Sequence, residues 1–139
     1  MEKKNSILIV DDEVANIKLL SNILTSDYNL FAVTNGSDAI EAAKKHSPDI
    51  ILLDVIMPDM DGFSVMDALK DHEETKDIPV IIISGLGGSP DEDKGLSRGA
   101  VDYISKPFSP IAIKCRVSNQ ALFINMKREL EALKKGTGK

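Results

Sequence analysis

The sequence predicts an α/β fold: a doubly wound parallel sheet with helices packed on both faces. Three observations predict it. Apolar runs at residues 7–10 (ILIV), 50–53 (IILL) and 80–83 (VIII) are continuous rather than alternating and rich in β-branched residues, as strands covered on both faces must be. Amphipathic stretches of helical period separate the runs. The connections are only a few residues long, so strand and helix alternate five times, which implies parallel neighbours joined by right-handed crossovers. The 139 residues, 42 % apolar and 28 % charged, suit one domain with a sizeable core.

The first strand, 7–10, runs directly into Asp11-Asp12-Glu13. Val14, Ile17, Leu20 and Leu24 then recur at helical spacing and define the inward face of a first helix. Residues 30–33 (LFAV) are a weaker run, expected at a sheet edge. Residues 36–46 form an Ala-rich amphipathic helix with Ala39, Ile40 and Ala43 inward. The third strand, 50–53, ends in Asp54. In the segment that follows, Asp59 and Asp61 serve a turn, Pro58 stiffens it, and Gly62 supplies either a positive φ or a close backbone approach. Phe63, Met66 and Leu69 mark the third helix. The fourth strand, 80–83, ends in Ser84-Gly85. The fourth helix, about 91–98, is poor in apolar residues, and Leu96 is its expected anchor. Residues 101–104 (VDYI) make the second edge, and Ser105-Lys106-Pro107-Phe108 follows.

Ser109-Pro110 places a cap residue and a first-turn proline at the start of the fifth helix. That helix is expected to run from Pro110 to about Lys135, about 39 Å at 1.5 Å per residue, longer than covering one sheet face requires. Past the core, Phe123, Met126, Leu130 and Leu133 follow 3-4-3 spacing, an a/d seam. Glu129 at g and Lys134 at the next e are placed to pair across a parallel dimer. The same stretch also suits an amphipathic linker to an output domain. The expected division is residues 1–123 as the domain and 124–139 as a helical extension ending in a flexible tail, GTGK.

Net charge is −5, which disfavours direct nucleic-acid binding. Residues 126–139 hold five basic and two acidic side chains, so the acidity lies in the globular part. Cys115 is the one cysteine, which excludes an intrachain disulfide and suits a reducing compartment; an inert surface thiol is expected. The start, MEKKNS and four apolar residues, is too short for a signal-peptide core. No apolar run approaches the ~20 residues of a membrane span. A cytoplasmic protein without a membrane partner is expected.

In such sheets, sites form beyond the carboxyl ends of the strands. Asp11, Asp12, Asp54, Ser84 and Lys106 all lie at those ends, so carboxylates, a hydroxyl and an ammonium should converge. Carboxylates at ~4 Å repel by about 4 kcal/mol per pair at an effective dielectric of ~20, so the cluster calls for a cation. An all-oxygen donor set suits Mg²⁺, while neither His46 nor His72 falls at a strand end; both are expected to face solvent. A divalent ion beside an aspartate, with a lysine and a hydroxyl, reads as a phosphoryl-transfer site. Asp54 is the nucleophile, Mg²⁺ and Lys106 offset charge on the transferring oxygens, and Ser84 donates a hydrogen bond.

Four motifs, DDE at 11–13, LLDVIMPDMDG at 52–62, IIISG at 81–85 and DYISKPF at 102–108, occur in order at expected strand ends. In this the chain resembles the receiver domain of two-component response regulators, over residues 7–123. The resemblance implies a flavodoxin-like five-stranded sheet of order 2-1-3-4-5 with five helices, the last extended. It implies Asp54 as phosphoacceptor, Asp12 as direct metal ligand, Asp11 acting on the metal through water, and the backbone carbonyl of Ile56 as a further ligand. Ser84 matches the switch hydroxyl, Tyr103 the switch aromatic, Lys106 the phosphate-contacting lysine, and Lys106-Pro107 a cis peptide. The implied partner is a sensor histidine kinase. A homodimer through the fourth helix, fifth strand and fifth helix, or through the extended helix, and an output domain outside this chain are further expectations.

Simpler roles stand beside these. Asp11, Asp12 and Glu13 also suit a helix N-terminus, and Tyr103 could be a static edge aromatic. Two rival functions fit less well. A flavodoxin holds a phosphate in a hydroxyl- and glycine-rich first loop, whereas DDEVAN repels one unless a metal intervenes. A haloacid-dehalogenase-type phosphatase has an acid two residues after its nucleophile, whereas Ile56 cannot transfer protons. With Leu86 also apolar, a phosphoaspartate should persist, as befits a signalling phosphoacceptor that catalyses only its own phosphorylation and slow loss. The glycine-rich 85–90 loop and the weakly apolar fourth helix predict low local stability and movement of Ser84 and Tyr103 upon phosphorylation.

Overall fold

A computed structural model of the chain describes residues 4–57, 61–85 and 89–137. Ten elements alternate: β1 Ser6–Val10, α1 Val14–Leu24, β2 Asn29–Val33, α2 Gly36–His46, β3 Ile50–Asp54, α3 Gly62–Lys70, β4 Val80–Ser84, α4 Ser89–Ser97, β5 Asp102–Ser105 and α5 Pro110–Thr137. The five strands form one sheet, order β2-β1-β3-β4-β5, parallel throughout. This is the flavodoxin-like order, and β2 and β5 are its edges.

The continuous apolar strands are buried completely. Ile7, Ile9, Ile50, Leu52, Ile81 and Ile83 pack on one face under Leu20 and Leu24 of α1 and Ile113, Val117 and Ala121 of α5. Leu8, Val10, Ile51, Leu53, Val80 and Ile82 pack on the other under Ala39 and Ala43 of α2 and Phe63, Val65, Met66 and Leu69 of α3. Period-two alternation along each strand sends successive residues to opposite faces, which is why no position in a central run tolerates a polar residue.

Caps set where helices begin. Asn35 Oδ1 accepts from the Asp38 amide and Asp61 Oδ1 from the Ser64 amide; Ser109 Oγ accepts from the Ala112 amide, with Pro110 as the first helical residue. Gly62 resolves to close approach: a Cβ there would sit 2.5 Å from Val55 Cα and 2.7 Å from the Asp54 carbonyl oxygen. That glycine lets α3 start directly against the end of β3.

Two expectations need correction. Leu96 does not anchor α4; it is 42 % exposed. The buried residue is Gly95, where a Cβ would fall 2.1 Å from Ile82 Cδ1, so α4 meets the sheet through bare backbone. Cationic side chains in and just after it reach α3 instead: Lys94 Nζ lies 4.5 Å from the Phe63 ring centre, and Arg98 pairs with Asp67. Val14 is 56 % exposed, because it is the first residue of α1 and precedes the turn that meets the sheet. α5 continues through Thr137, and residues 138–139 of the GTGK tail lie outside the described residues. Pro58, Asp59 and Leu86, and with Leu86 residues 87 and 88 of the glycine-rich loop, lie outside the described residues. His46 is exposed, with its ring stacked on Phe31 at 4.0 Å.

α5 crosses residue 123 unbroken. Ile124 still packs on the core face covered by α1 and α5. Asn125 and Asn5 exchange side-chain hydrogen bonds of 3.1 and 3.2 Å, and Arg128 pairs with Asp49 at 2.5 Å. Asp49 also accepts from the Ser6 amide at 2.8 Å and from Asn5 Nδ2 at 3.3 Å. Burial acts to raise the Asp49 pKa, but the Ser6 amide and Arg128 outweigh it and hold the carboxyl below the ordinary range.

Candidate functional site

Parallel strands in register bring their ends to one level: Asp54 of β3 pairs with Ile83 and Ser84 of β4 with Ser105. Asp11 is the residue after β1, and Lys106 the residue after β5. Asp11, Asp54 and Ser84 are buried, at 0, 2 and 0 % exposure, while Asp12 is exposed. Asp11, Asp12 and Asp54 each offer an oxygen within 4.8 Å of the others.

Lys106 Nζ lies 3.3 Å from Asp54 Oδ2 and 3.8 Å from Asp11 Oδ2. One ammonium thus serves two buried carboxylates. Its amide donates to the Ser84 carbonyl at 2.9 Å, and a side chain at Gly85 would lie against the lysine stem, 3.5 Å from Cδ. The Lys106-Pro107 peptide is cis. Asp54 Oδ1 accepts from the Ile56 amide at 3.0 Å. Asp11 Oδ1 accepts from the Glu13 amide at 2.9 Å and from Asn16 Nδ2 at 3.4 Å, whereas Asp11 Oδ2 is buried without a hydrogen bond.

The electrostatics follow from this geometry. Burial, with the Asp11 charge adding to it, pushes the Asp54 carboxyl up to about 6; the Ile56 amide and Lys106 work against that rise. An unsatisfied buried oxygen and a carboxylate held above its ordinary range both describe a pocket short of positive charge. A hard divalent cation fits this donor set: it would satisfy Asp11 Oδ2 and favour the ionised form of Asp54.

Glu13 occupies the cap position of α1 but makes no side-chain capping bond. Tyr103 lies on β5, packed beside the Ile82 cluster, with its hydroxyl buried and without a hydrogen bond. Ile56 turns its side chain outward, 53 % exposed. Asn16 and the amides of Glu13 and Ile56 also belong to the site. The sequence signal for Asn16 was its place in DDEVAN, five residues beyond Asp11; backbone amides leave no such signal.

Comparison with known proteins agrees with this architecture. The response regulator receiver domain family model matches residues 7–118. The chain is 42 % identical over 130 residues to the response regulator PleD of Caulobacter vibrioides, covering 91 % of this chain and 29 % of PleD. Among solved structures it is similar to NtrX of Brucella abortus (28 % identity, TM-score 0.84, 94 % of this chain and 30 % of that one). It is also similar to the chemotaxis response regulator CheY4 of Vibrio cholerae (25 % identity, TM-score 0.79, 85 % and 99 %). The chain therefore spans less than a third of PleD and of NtrX, and nearly the whole of CheY4. With its sheet order, its strand-end carboxylates and this match, the chain belongs to the response regulator receiver domain family of two-component signalling.

Proposed function

We propose that this receiver domain accepts a phosphoryl group on Asp54 from a phosphohistidine of a sensor kinase. The observation that carries the reading is the pairing of a buried Asp54 with Lys106 at 3.3 Å inside a three-carboxylate cluster. Asp11, Asp12, Asp54 and the Ile56 carbonyl would hold Mg²⁺, which when bound supplies positive charge to the phosphoryl oxygens. An ionised Asp54 oxygen attacks phosphorus; the P–N bond breaks and its electron pair stays on the imidazole nitrogen. Lys106 contacts the incoming phosphoryl oxygens with its ammonium. Ser84, buried at the end of β4, donates its hydroxyl to one of them.

The side chain at Ile56 is apolar and outward, so it cannot deliver a proton or orient a hydrolytic water by hydrogen bonding. The acyl phosphate then persists as a signal. Ser84 and Tyr103 respond to it, and the surface of α4, β5 and α5 changes with them. Residues 1–123 act as the receiver unit and 124–139 as the route toward an output, in the cytoplasm.

The test is intact mass after acetyl phosphate with Mg²⁺. The wild type gains one phosphoryl group and Asp54→Asn none. An equal gain on both, or no gain on the wild type, overturns the assignment. Phosphoaspartate loss within seconds would reject the persistent state.

A further inference from the structure

Helix α1 begins beside the carboxylate cluster, and its first turn holds one neutral polar side chain among acids. Asn16 is half-buried. Its carboxamide nitrogen donates to Glu13 Oε1 at 3.1 Å and to Asp11 Oδ1 at 3.4 Å. That nitrogen carries two hydrogens, and each meets a carboxylate. Most side-chain hydrogen bonds go to backbone or water; this pair bridges two acids instead. Glu13, which stands at the cap position without capping, thereby gains a use for its side chain.

The bridge divides the two oxygens of Asp11. Oδ1 takes the Glu13 amide at 2.9 Å as well as Asn16. Oδ2 takes no hydrogen bond, is buried, and lies 3.8 Å from Lys106 Nζ, the same ammonium that stands 3.3 Å from Asp54 Oδ2. The torsion that turns an aspartate carboxyl group is soft. Two donors converging on one oxygen fix it, and the other oxygen is left aimed at the cluster.

We propose that Asn16 is a positioning residue of the cation site: it turns Asp11 so that Oδ2 faces the ion, and Glu13 is the acid that steadies Asn16. This inference rests on the Mg²⁺ reading of the site. A ligand already held in its binding orientation has less freedom to lose when the ion arrives, which is how outer partners of metal ligands raise affinity. Charge fits the same division of labour. With Asp54 ionised, Asp11, Asp12, Asp54 and Lys106 carry a net charge of −2, which one divalent ion offsets. Glu13 is not among the acids whose oxygens gather within 4.8 Å; its bond to Asn16 keeps it beside the cluster as a buttress and not as a fourth carboxylate.

The test is an NMR titration of the full chain with Mg²⁺, beside urea unfolding of the metal-free protein. The wild type binds Mg²⁺. Asn16→Leu, which keeps the size and removes the donor, binds about three- to tenfold more weakly, toward or below the low end of the roughly 10–100-fold span for outer partners, because a 3.4 Å bond is long. Its metal-free urea midpoint stays at the wild-type value, since Asp11 Oδ1 keeps the Glu13 amide, while the Asp11 carboxyl carbon resonance moves. Glu13→Gln retains an acceptor for Asn16 and Glu13→Ala does not; both remove the same exposed charge, so the weaker binding of Glu13→Ala reads the hydrogen bond alone. An Asn16→Leu chain that binds as tightly as wild type overturns the proposal and leaves the Mg²⁺ reading standing. Affinity lost only together with a lowered urea midpoint makes Asn16 structural and overturns it as well. Equal affinities of Glu13→Gln and Glu13→Ala remove the buttress. A wild type that binds no Mg²⁺ overturns the reading of the site itself, and this inference with it.

Discussion

Two aspartates, Asp54 buried and Asp49 half-buried, stand at opposite ends of the sheet. Asp54, at the carboxyl end, is pushed up to about 6. Asp49, beside the amino end of β3, is held below the ordinary range. Each has a cation within hydrogen-bonding reach, Lys106 at 3.3 Å and Arg128 at 2.5 Å. What differs is the rest of the company. Asp49 accepts from Ser6, Asn5 and Arg128 with no competing carboxylate among these contacts. Asp54 shares its lysine with Asp11 and has one amide donor. A carboxylate whose lone pairs are filled is structural; one left short of donors beside another is available for chemistry and for metal.

Four experiments would break or sharpen that contrast. Asp49→Ala should cost about 2–4 kcal/mol of unfolding free energy by urea titration, since it strips a partly buried network of its acceptor. A loss below about 0.5 kcal/mol would remove the structural role. Asp54→Asn should instead stabilise the metal-free protein at neutral pH, by up to about 3 kcal/mol given a shift to about 6. Here the folded state holds its proton more tightly than the unfolded chain. The Asp54 contribution to wild-type stability is therefore most favourable below about pH 4, falls as pH rises through about 6 and is flat above, and the Asn variant lacks that fall. The Asp49 contribution runs the other way: present at neutral pH and lost as pH drops through the acidic range. Unfolding curves of the two variants from about pH 3 to 8 should thus slope oppositely relative to wild type.

Metal binding supplies the third measure. Because Mg²⁺ needs Asp54 ionised, affinity measured by calorimetry should fall up to tenfold per pH unit below about 6, and a flat profile would separate the metal from Asp54. The smallest effect belongs to Arg128→Ala. Its side chain is 59 % exposed, so the loss should be about 0.5–1 kcal/mol, with hydrogen exchange rising near residues 124–128.

The central strands were legible because nothing but uninterrupted β-branched residues suits a strand covered twice. Asp11, Asp54, Ser84 and Lys106 were legible because each interrupts or follows such a run at its carboxyl end. Strand order came from resemblance, since periodicity says nothing about which strands are neighbours. The structure brings the acids and Lys106 together, with Ser84 at the same carboxyl end of the sheet. Leu96 misled because a hydrophobic residue was sought where α4 uses the absence of a side chain, at Gly95. The Asp49–Arg128 pair was invisible because its members are 79 residues apart and each looks like ordinary surface charge. Amide donors from Glu13 and Ile56 could not be read from any alphabet of side chains.

The glycine contact of α4 has one more consequence. Since Gly95 makes the sheet contact, the flanking residues Asp93, Lys94, Leu96 and Ser97 are exposed. Asp93, Leu96 and Ser97 in particular can be rewritten at little energetic expense. Mutational drift, or a protein engineer, can give this helix a new vocabulary for binding partners while position 95 keeps the domain intact.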